Sequence, residues 1–524
     1  MAADPQVEAR KAVSVDPATG VRLRQWDCTS EKDVHLAVKR AGAAQTGWDD
    51  LGVGRRIAIL RNFQQLLYEK KSEVADLITK EAGKPSAEAL LTEVLVVLDA
   101  ARFCIDHAYH FLRQEPLPHG NLAMKTKAGE ILRQPHGVIG IISPWNYPFS
   151  IPATESLAAL VTGNAVVLKP SEFTSLCALE LASLFHEAGV PKDIFQVAVG
   201  DGATGSALLH ADIGKLIFTG SVATGRGIAE QAGARLLPVV LELGGKDPMI
   251  VLDDADIDVA SSGAVWGAFV NAGQACLSIE RCYVQRSLYE PFLDACVRKT
   301  KQLRVGHGSD RDIDVGPLIH ERQLHHVEAQ VEEARARGAR VLAGGKRFPE
   351  MGPNFYLPTV LSEVTQEMAV MREETFGPVL PVMAFDTDDE AIRLANDSEY
   401  GLAASVWTRS RARGEALARR IQAGTVMVND AVACFGISEA PHGGVKASGM
   451  GRTHGNFGLE EMVRTKYVDA ERLPGVKRVW WYGYGRTFSR QMEGFLELQF
   501  ARDWRSRLRG GWKAAGALAR KGRL

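Results

Sequence analysis

Between Arg55 and Lys80 the apolar residues Ile59, Leu60, Phe63, Leu66, Leu67, Val74, Leu77 and Ile78 recur at mostly three- and four-residue steps. That spacing predicts a packed amphipathic helix, stopped by Gly83-Lys84-Pro85. A second helical pattern runs through Leu90, Leu91, Val94, Val97, Leu98 and Ala101 toward Tyr109. There Pro116, Pro118 and Gly120 break it and predict an excursion out of the first domain. Short apolar runs at Val138–Ile142, Ala165–Leu168, Phe195–Val199, Lys215–Phe218 and Val239–Leu241 then alternate with helix-length segments. Such alternation predicts an α/β fold, a parallel sheet with crossover helices. Open sheets of this kind bind ligands at the carboxyl ends of their strands, where Asn146, Lys169, Ser221 and Glu242 fall. The segment Gly200-Asp201-Gly202-Ala203-Thr204-Gly205 matches GxGxxG. It is read as a glycine-rich turn, because the next strand ends in Thr219-Gly220-Ser221 and not in a ribose-binding acid.

Composition narrows the class. A chain of 524 residues, 46% hydrophobic and 24% charged, has the make-up of a globular protein and a length prior of about three domains. Its seven cysteines include no CxxC pair, which argues against a disulfide framework and a zinc site and favours a reducing cytoplasm. The N-terminus lacks an apolar signal core, and no run approaches the ~18 apolar residues of a membrane span. Residues 469–524 hold 13 Lys/Arg against 5 Asp/Glu, so the tail is basic and the body mildly acidic. No basic stripe lies near the candidate chemistry, which excludes a nucleic-acid reading.

Cys276, in Asn271-Ala272-Gly273-Gln274-Ala275-Cys276, has small and polar neighbours that leave a thiol reachable. The other six cysteines read as buried and inert. Glu242 closes an apolar strand before Gly244-Gly245, where a partly desolvated carboxylate can act as a general base, although a structural ion pair is the plainer role. Asn146, in Pro144-Trp145-Asn146-Tyr147-Pro148, can donate to an oxyanion or serve only as a turn residue.

These segments, in this order, resemble the NAD(P)-dependent aldehyde dehydrogenases over residues 15–468. The match is carried by PWNYP (144–148), KPSE (169–172), FTGSVATG (218–225), LELGGK (241–246), GQACLSIER (273–281), ETFGP (374–378) and GGVKASGMGR (443–452). The resemblance implies that the Cys276 thiolate attacks an aldehyde, with Asn146 and the Cys276 backbone N–H holding the oxyanion. Glu242 would then activate the water that hydrolyses the thioester. The presence of Glu242 favours hydrolysis over transfer to coenzyme A. For the cofactor, the resemblance places Lys169 and Glu172 on the adenosine ribose, Gly220, Ser221 and Gly225 at the pyrophosphate, and Glu374 on the nicotinamide ribose. The resemblance also implies that Phe376 packs nearby and that Trp145 and Leu243 belong to the cofactor-binding residues. Glu172 would repel a 2′-phosphate, so NAD is favoured, with NADP as the alternative.

The implied architecture is a Rossmann-type cofactor domain of residues 1–111 and 136–243, a catalytic domain of 244–454, a small β oligomerisation arm of 112–135 and 455–468, and the tail of 469–524. The arm implies a homodimer or homotetramer. Two departures stand out. The usual Pro-Phe-Gly-Gly reads Pro441-His442-Gly443-Gly444, and Glu155 stands where many relatives have lysine. His442 is expected to alter an apolar contact and Glu155 to remove a cationic one from the cofactor site, neither touching the core mechanism.

Semialdehyde enzymes often carry arginine after PWNYP, but here Phe149-Ser150-Ile151-Pro152-Ala153-Thr154 offers no cation. With Phe149, Met427 and Phe435 as wall residues, an apolar or aromatic aldehyde is expected, and succinate semialdehyde is the alternative. In the tail, Phe488, Met492, Leu496, Phe500, Trp504, Leu508 and Trp512 repeat every fourth residue, a stripe that winds by about 40° per step on a helix. Packing against the enzyme body or partial disorder is preferred to peripheral membrane contact. Two other classes stay in view. A thioester-forming esterase or acyltransferase would need no cofactor site, and a silent scaffold would not need the Cys–Glu–Asn set.

Overall fold

The apolar runs that alternate with helical segments form the parallel sheet expected of them. The computed structural model describes residues 10–310, 312–476, 478 and 480–515. Residues 1–9 and 516–524, on which parts of the N-terminal and tail expectations fell, lie outside the described residues. Strand Val138–Ile142 sits between Ala165–Lys169 and Lys215–Thr219, and Phe195–Val197 and Val239–Glu242 extend the sheet on either side. Ile142 is in register with Lys169 and Phe218, and Thr219 with Glu242, so four strands finish on one edge. The two-residue strand Gly449–Met450 runs antiparallel beside Val239–Glu242 and caps that side.

A second sheet follows directly. Its seven strands lie in the order Arg340–Ala343, Thr359–Ser362, Val379–Phe385, Ile279–Gln285, Asp247–Val251, Ala403–Trp407 and Thr425–Val428. All pairs are parallel except the first. Glu242 therefore ends the last long strand of one sheet, and Asp247 begins a central strand of the other.

The helices differ from the sequence expectation in two places. The pattern over Arg55–Lys80 forms two helices, Gly52–Glu69 and Lys71–Ala82. Glu69-Lys70-Lys71-Ser72 interrupts the apolar recurrence between Leu67 and Val74, so each half buries its own stripe. Gly83 ends the second helix in the left-handed conformation, as its position predicts. The next helical pattern contains a π turn at Leu90–Val94 between Ser86–Ala89 and Leu95–Phe111. This wide turn directs Glu93 into the interior while leaving Leu91 and Leu95 exposed. The GxGxxG segment is a capped turn: Asp201 accepts from Ala203 N and Thr204 N and starts helix Gly202–His210.

The chain divides into two compact units, Met1–Phe111 with Pro135–Arg464, and Leu112–Gln134 with Thr465–Leu524. The first contains both large sheets. The second contains most of a three-stranded sheet, Glu115–Leu117, Lys127–Pro135 and Val463–Glu471, together with helices Arg486–Phe500 and Trp504–Ala514. The arm boundary thus differs from the expected 455–468. Gly455–Glu461 is a helix of the first unit, held there where Asn164 Nδ2 donates to Met462 O at 2.8 Å. The arm strand runs on to Glu471, past the point where a separate tail was expected.

Buried charge fastens the second sheet to the loop that follows Arg372. Lys246 Nζ donates to Glu280 Oε2 at 2.6 Å, and Glu280 also accepts from Thr375 N at 2.7 Å and Phe376 N at 2.8 Å. Glu280→Ala strands the Lys246 ammonium and two backbone donors, and is expected to cost about 3–5 kcal/mol in denaturant unfolding. An unchanged unfolding midpoint would show that this network does not hold the loop.

Candidate active site

Helix Ile257–Phe269 ends in a backbone that few sequences tolerate. Asn271, Ala272 and Gly273 follow one another at φ 53°, 54° and 73°. Left-handed non-glycine residues are strained and persist only where their surroundings hold them. Asn271 N donates to Glu88 Oε2, and its Nδ2 donates to the backbone oxygens of Asn146 and Gln274, all at 3.0 Å. The Gln274 side chain donates to Asn271 O and accepts from Ile319 N. A Cβ on Gly273 would lie 2.1 Å from Gly377 O, so only glycine fits the turn. The loop delivers Cys276 half-buried, with its carbonyl against Gly245. A Cβ there would be 2.6 Å from Cys276 O.

Asn146 is placed by a buried ion pair. Lys84 and Glu93 meet at 2.6 Å with both side chains fully buried. Lys84 Nζ donates to the Asn146 backbone oxygen at 3.0 Å, while Glu93 Oε2 accepts from Phe149 N and Ser150 N. The carboxylate therefore caps helix Ser150–Val161, in which every residue but Ala158 is buried. Asn146 Nδ2 donates to Gln274 O at 3.0 Å, which leaves its second hydrogen free for a ligand.

Glu242 is buried, and neither of its carboxylate oxygens has a hydrogen-bond partner. Burial, then the charge of Glu155, push its carboxyl well above the usual range, with Arg452 opposing. Glu155 is itself raised to about 8 by burial, against one hydrogen bond from Thr219 Oγ1 at 3.2 Å. His442 Nε2 lies 3.9 Å from Glu242 Oε2. His442 packs edge-to-face on Phe435 and His454, and burial lowers its pKa to about 3. The two departures noted in the sequence thus both come to the Glu242 carboxylate, contrary to the expectation that they stand apart from the chemistry. Burial, followed by the charges of Asp247, Glu374 and Glu242, pushes the Cys276 thiol well above its ordinary value.

Two larger cavities meet at Cys276, beside a pocket of about 20 Å³ toward Glu155 and His442. The first, about 440 Å³, is walled by apolar side chains that include Leu91, Leu95, Tyr147, Trp266, Val432 and Phe435. The second, about 250 Å³, is a cleft on the other side. It brings together Cys276, Glu242 and Asn146 with Trp145, Gly220, Ser221, Leu243, Glu374 and Phe376. Ser221 caps helix Val222–Ala234, whose N-terminus opens there. Gly225 adjoins the cleft indirectly, since a Cβ on it would strike Leu243 at 2.5 Å. Trp145 meets Phe376 edge-to-face at 5.3 Å, and Glu374 accepts from Gly245 N at 3.1 Å. Lys169 and Glu172 are not among the lining residues. They pair with each other at 3.6 Å at the end of their strand.

The family model described as "Aldehyde dehydrogenase family" matches residues 5–468. The chain belongs to the aldehyde dehydrogenase family. It is 41% identical over 469 residues to a Mycolicibacterium smegmatis protein provisionally named a succinate-semialdehyde dehydrogenase [NADP(+)], covering 89% of this chain and 90% of that one. It is 38% identical over 492 residues to a 4,4'-diapolycopene aldehyde oxidase of a Methylomonas species, covering 94% and 91%. An aldehyde dehydrogenase from Bacillus cereus, solved as an NAD+ complex, superposes with a TM-score of 0.85 at 36% identity, covering 88% of this chain and 93% of that one.

In this member of the family, the wall residues named from sequence need correction. Phe435 lines the apolar cavity, but Phe149 is fully buried in the core, and Met427 packs against a cluster with Leu277 and Cys434. Leu91, Leu95 and Trp266 were missed. Their signal was available: large apolar residues on helices whose buried faces are already complete. The raised thiol pKa predicts slow alkylation of the cofactor-free protein. The rate of Cys276 carboxamidomethylation by iodoacetamide should still climb about tenfold per pH unit between about pH 7.5 and 9. A plateau below pH 8 would contradict it.

Proposed function

We propose that this protein oxidises apolar aldehydes to carboxylic acids with NAD(P), through a thioester on Cys276. The observation that carries this reading is the position of Cys276 at the meeting of an apolar cavity with a polar cleft containing Glu242 and Asn146. The cleft suits the pyrophosphate and nicotinamide-ribose part of a dinucleotide. A helix N-terminus at Ser221 suits a pyrophosphate, and the buried Glu374 carboxylate can accept from ribose hydroxyls. The cluster of acids around Cys276 also suits a cationic nicotinamide.

In this mechanism the Cys276 thiolate adds to the aldehyde carbon. The oxyanion so formed takes hydrogen bonds from the free Asn146 Nδ2 hydrogen and the Cys276 backbone N–H. A bound NAD(P) supplies the hydride acceptor that turns this adduct into a thioester. Glu242 then removes a proton from water, which attacks the thioester carbon and expels the Cys276 thiolate with the acid. Neutral His442 beside Glu242 adds no counter-charge of its own, and burial together with Glu155 outweighs the lowering by Arg452, so the carboxylate stays basic. Self-association as a homodimer or homotetramer through the edge strand Val463–Glu471 belongs to the same reading.

The preference for NAD argued from Glu172 gains no support. The relative named for NADP(+) is 41% identical, and Lys169 beside Glu172 offsets the charge that would repel a 2′-phosphate. The cofactor is therefore proposed as NAD or NADP. Two relatives' names point to different substrates, a semialdehyde acid and a diapolycopene aldehyde. Among the described residues no wall of the apolar cavity is a lysine or arginine, and the Asp99 carboxylate at its lining is already paired with Arg102. This favours the apolar aldehyde.

Cys276→Ser should abolish turnover while leaving cofactor binding by calorimetry intact. Glu242→Gln should slow steady-state turnover about 10²–10⁴-fold yet keep a first-turnover burst of reduced cofactor. Hexanal or benzaldehyde should show a higher kcat/KM than succinate semialdehyde. The reverse order would overturn the substrate class, and undiminished turnover in Cys276→Ser would overturn the mechanism.

A further inference from the structure

Helices Arg486–Phe500 and Trp504–Ala514 form a hairpin closed at two glycines. A Cβ on Gly494 would lie 2.7 Å from Gly510 O, and one on Gly510 would lie 2.6 Å from Gly494 O, so the two backbones touch. Lys513 Nζ donates to Glu497 Oε1 across the hairpin at 2.6 Å. The break at Ala501–Asp503 resets the four-residue stripe that would otherwise wind around one long helix. Two short stripes result, Leu496 with Phe500, and Trp504 with Leu508 and Trp512.

These side chains face outward. Trp504 is 66%, Leu508 57% and Trp512 84% exposed, and Phe500 is 67% exposed. On the second helix, positions 504, 508, 511 and 512 fall within about 100° of arc. Gly510, which faces the partner helix, lies on the far side. Arg505 and Arg509 border the stripe on one flank and Arg507 on the other, with the Arg505 guanidinium 5.5 Å from the Trp504 ring. Between Arg486 and Lys513 there are seven Arg/Lys and three Asp/Glu. Two of those acids are engaged: Glu497 with Lys513 and Arg509, and Asp503 as the cap accepting from Ser506 N.

We propose that this hairpin docks the protein on a bilayer surface bearing anionic phospholipid headgroups. Tryptophan and aliphatic side chains enter the headgroup–acyl boundary, and the flanking arginines meet the phosphates. Charge and the aliphatic side chains decide the occupant. A second copy would set arginine flank against arginine flank, and nucleic acid, whose bases stack on aromatic rings, would leave exposed Leu496 and Leu508 unpartnered. No helix of the described residues is long and apolar enough to cross a membrane, so the hairpin would lie along the surface.

The test uses the full chain and sedimentation with vesicles of phosphatidylcholine, alone or mixed with phosphatidylglycerol. Binding is expected to the mixed vesicles, weakened by salt, with a blue shift of tryptophan emission. Arg505→Glu with Arg509→Glu should weaken it about 25-fold or more, at about fivefold per charge. Trp504→Ser with Trp512→Ser should remove the blue shift, and both variants should keep wild-type turnover of a short soluble aldehyde. Binding that ignores phosphatidylglycerol, or that survives both variants, overturns the proposal. An absence of vesicle binding overturns it as well, and a smaller assembly in the tryptophan variant would then make the face a contact between copies. Wild-type protein that binds vesicles but turns over no aldehyde leaves this inference standing and removes the proposed function.

Discussion

The site depends on one close approach, the Gly244-Gly245 segment lying against the Cys276 peptide. Glu242 ends a strand of one sheet, whereas Cys276 sits on a loop that feeds the central strand Ile279–Gln285 of the other. With a Cβ at Gly245 contacting Cys276 O at 2.6 Å, a larger side chain there would push the Glu242 strand end and the Cys276 loop apart, whereas one at Gly244 would meet the movable Glu374 carboxylate at 2.4 Å. The left-handed turn at Asn271–Gly273 meets the same requirement from the other side. It holds three successive residues at positive φ, at a conformational cost the surrounding hydrogen bonds must offset.

Buried ion pairs serve geometry here more than stability. Lys84–Glu93 and Lys246–Glu280 are almost wholly removed from water, and pairs so placed recover little of their desolvation cost. Each, however, hands its remaining hydrogen-bonding capacity to backbone near the chemistry. Lys84 holds the Asn146 peptide and Glu93 the start of helix Ser150–Val161, while Glu280 takes the amides of Thr375 and Phe376 beside Glu374. Apolar replacements could fill the same volume but could not fix those peptides.

Much of this was legible in the sequence because strand ends are legible. Runs such as Val138–Ile142 and Val239–Leu241 have sharp boundaries, and the residues just beyond them, Asn146 and Glu242, reach one cleft. The apolar cavity was legible only in part: large apolar residues such as Leu91 and Trp266 stood in view, but the meeting of the π turn near Leu91 with Tyr147, Trp266, the Cys276 loop and Val432 to Phe435 is set by tertiary packing. Phe149 was misread because it follows PWNYP in sequence, whereas the helix that starts at Ser150 turns it into the core. The single helix expected over Arg55–Lys80 failed for a local reason, the polar run Glu69–Ser72, which was visible but outweighed by the apolar steps around it.

The electrostatics of the cleft bind these observations together. Burial, followed by the crowding of Asp247, Glu374 and Glu242, pushes the Cys276 thiol well above its ordinary range, and burial with Glu155 pushes the Glu242 carboxyl up in the same way. A lysine at position 155 would have relieved that condition, but Glu155 intensifies it, and His442, neutral at any physiological pH, gives no relief. The surroundings of Glu242 thus keep its carboxyl from ionising early. A carboxylate formed there is unpartnered and strongly basic, the state a group needs if it is to take a proton from water. The same burial that makes Glu242 a poor acid makes it an effective base.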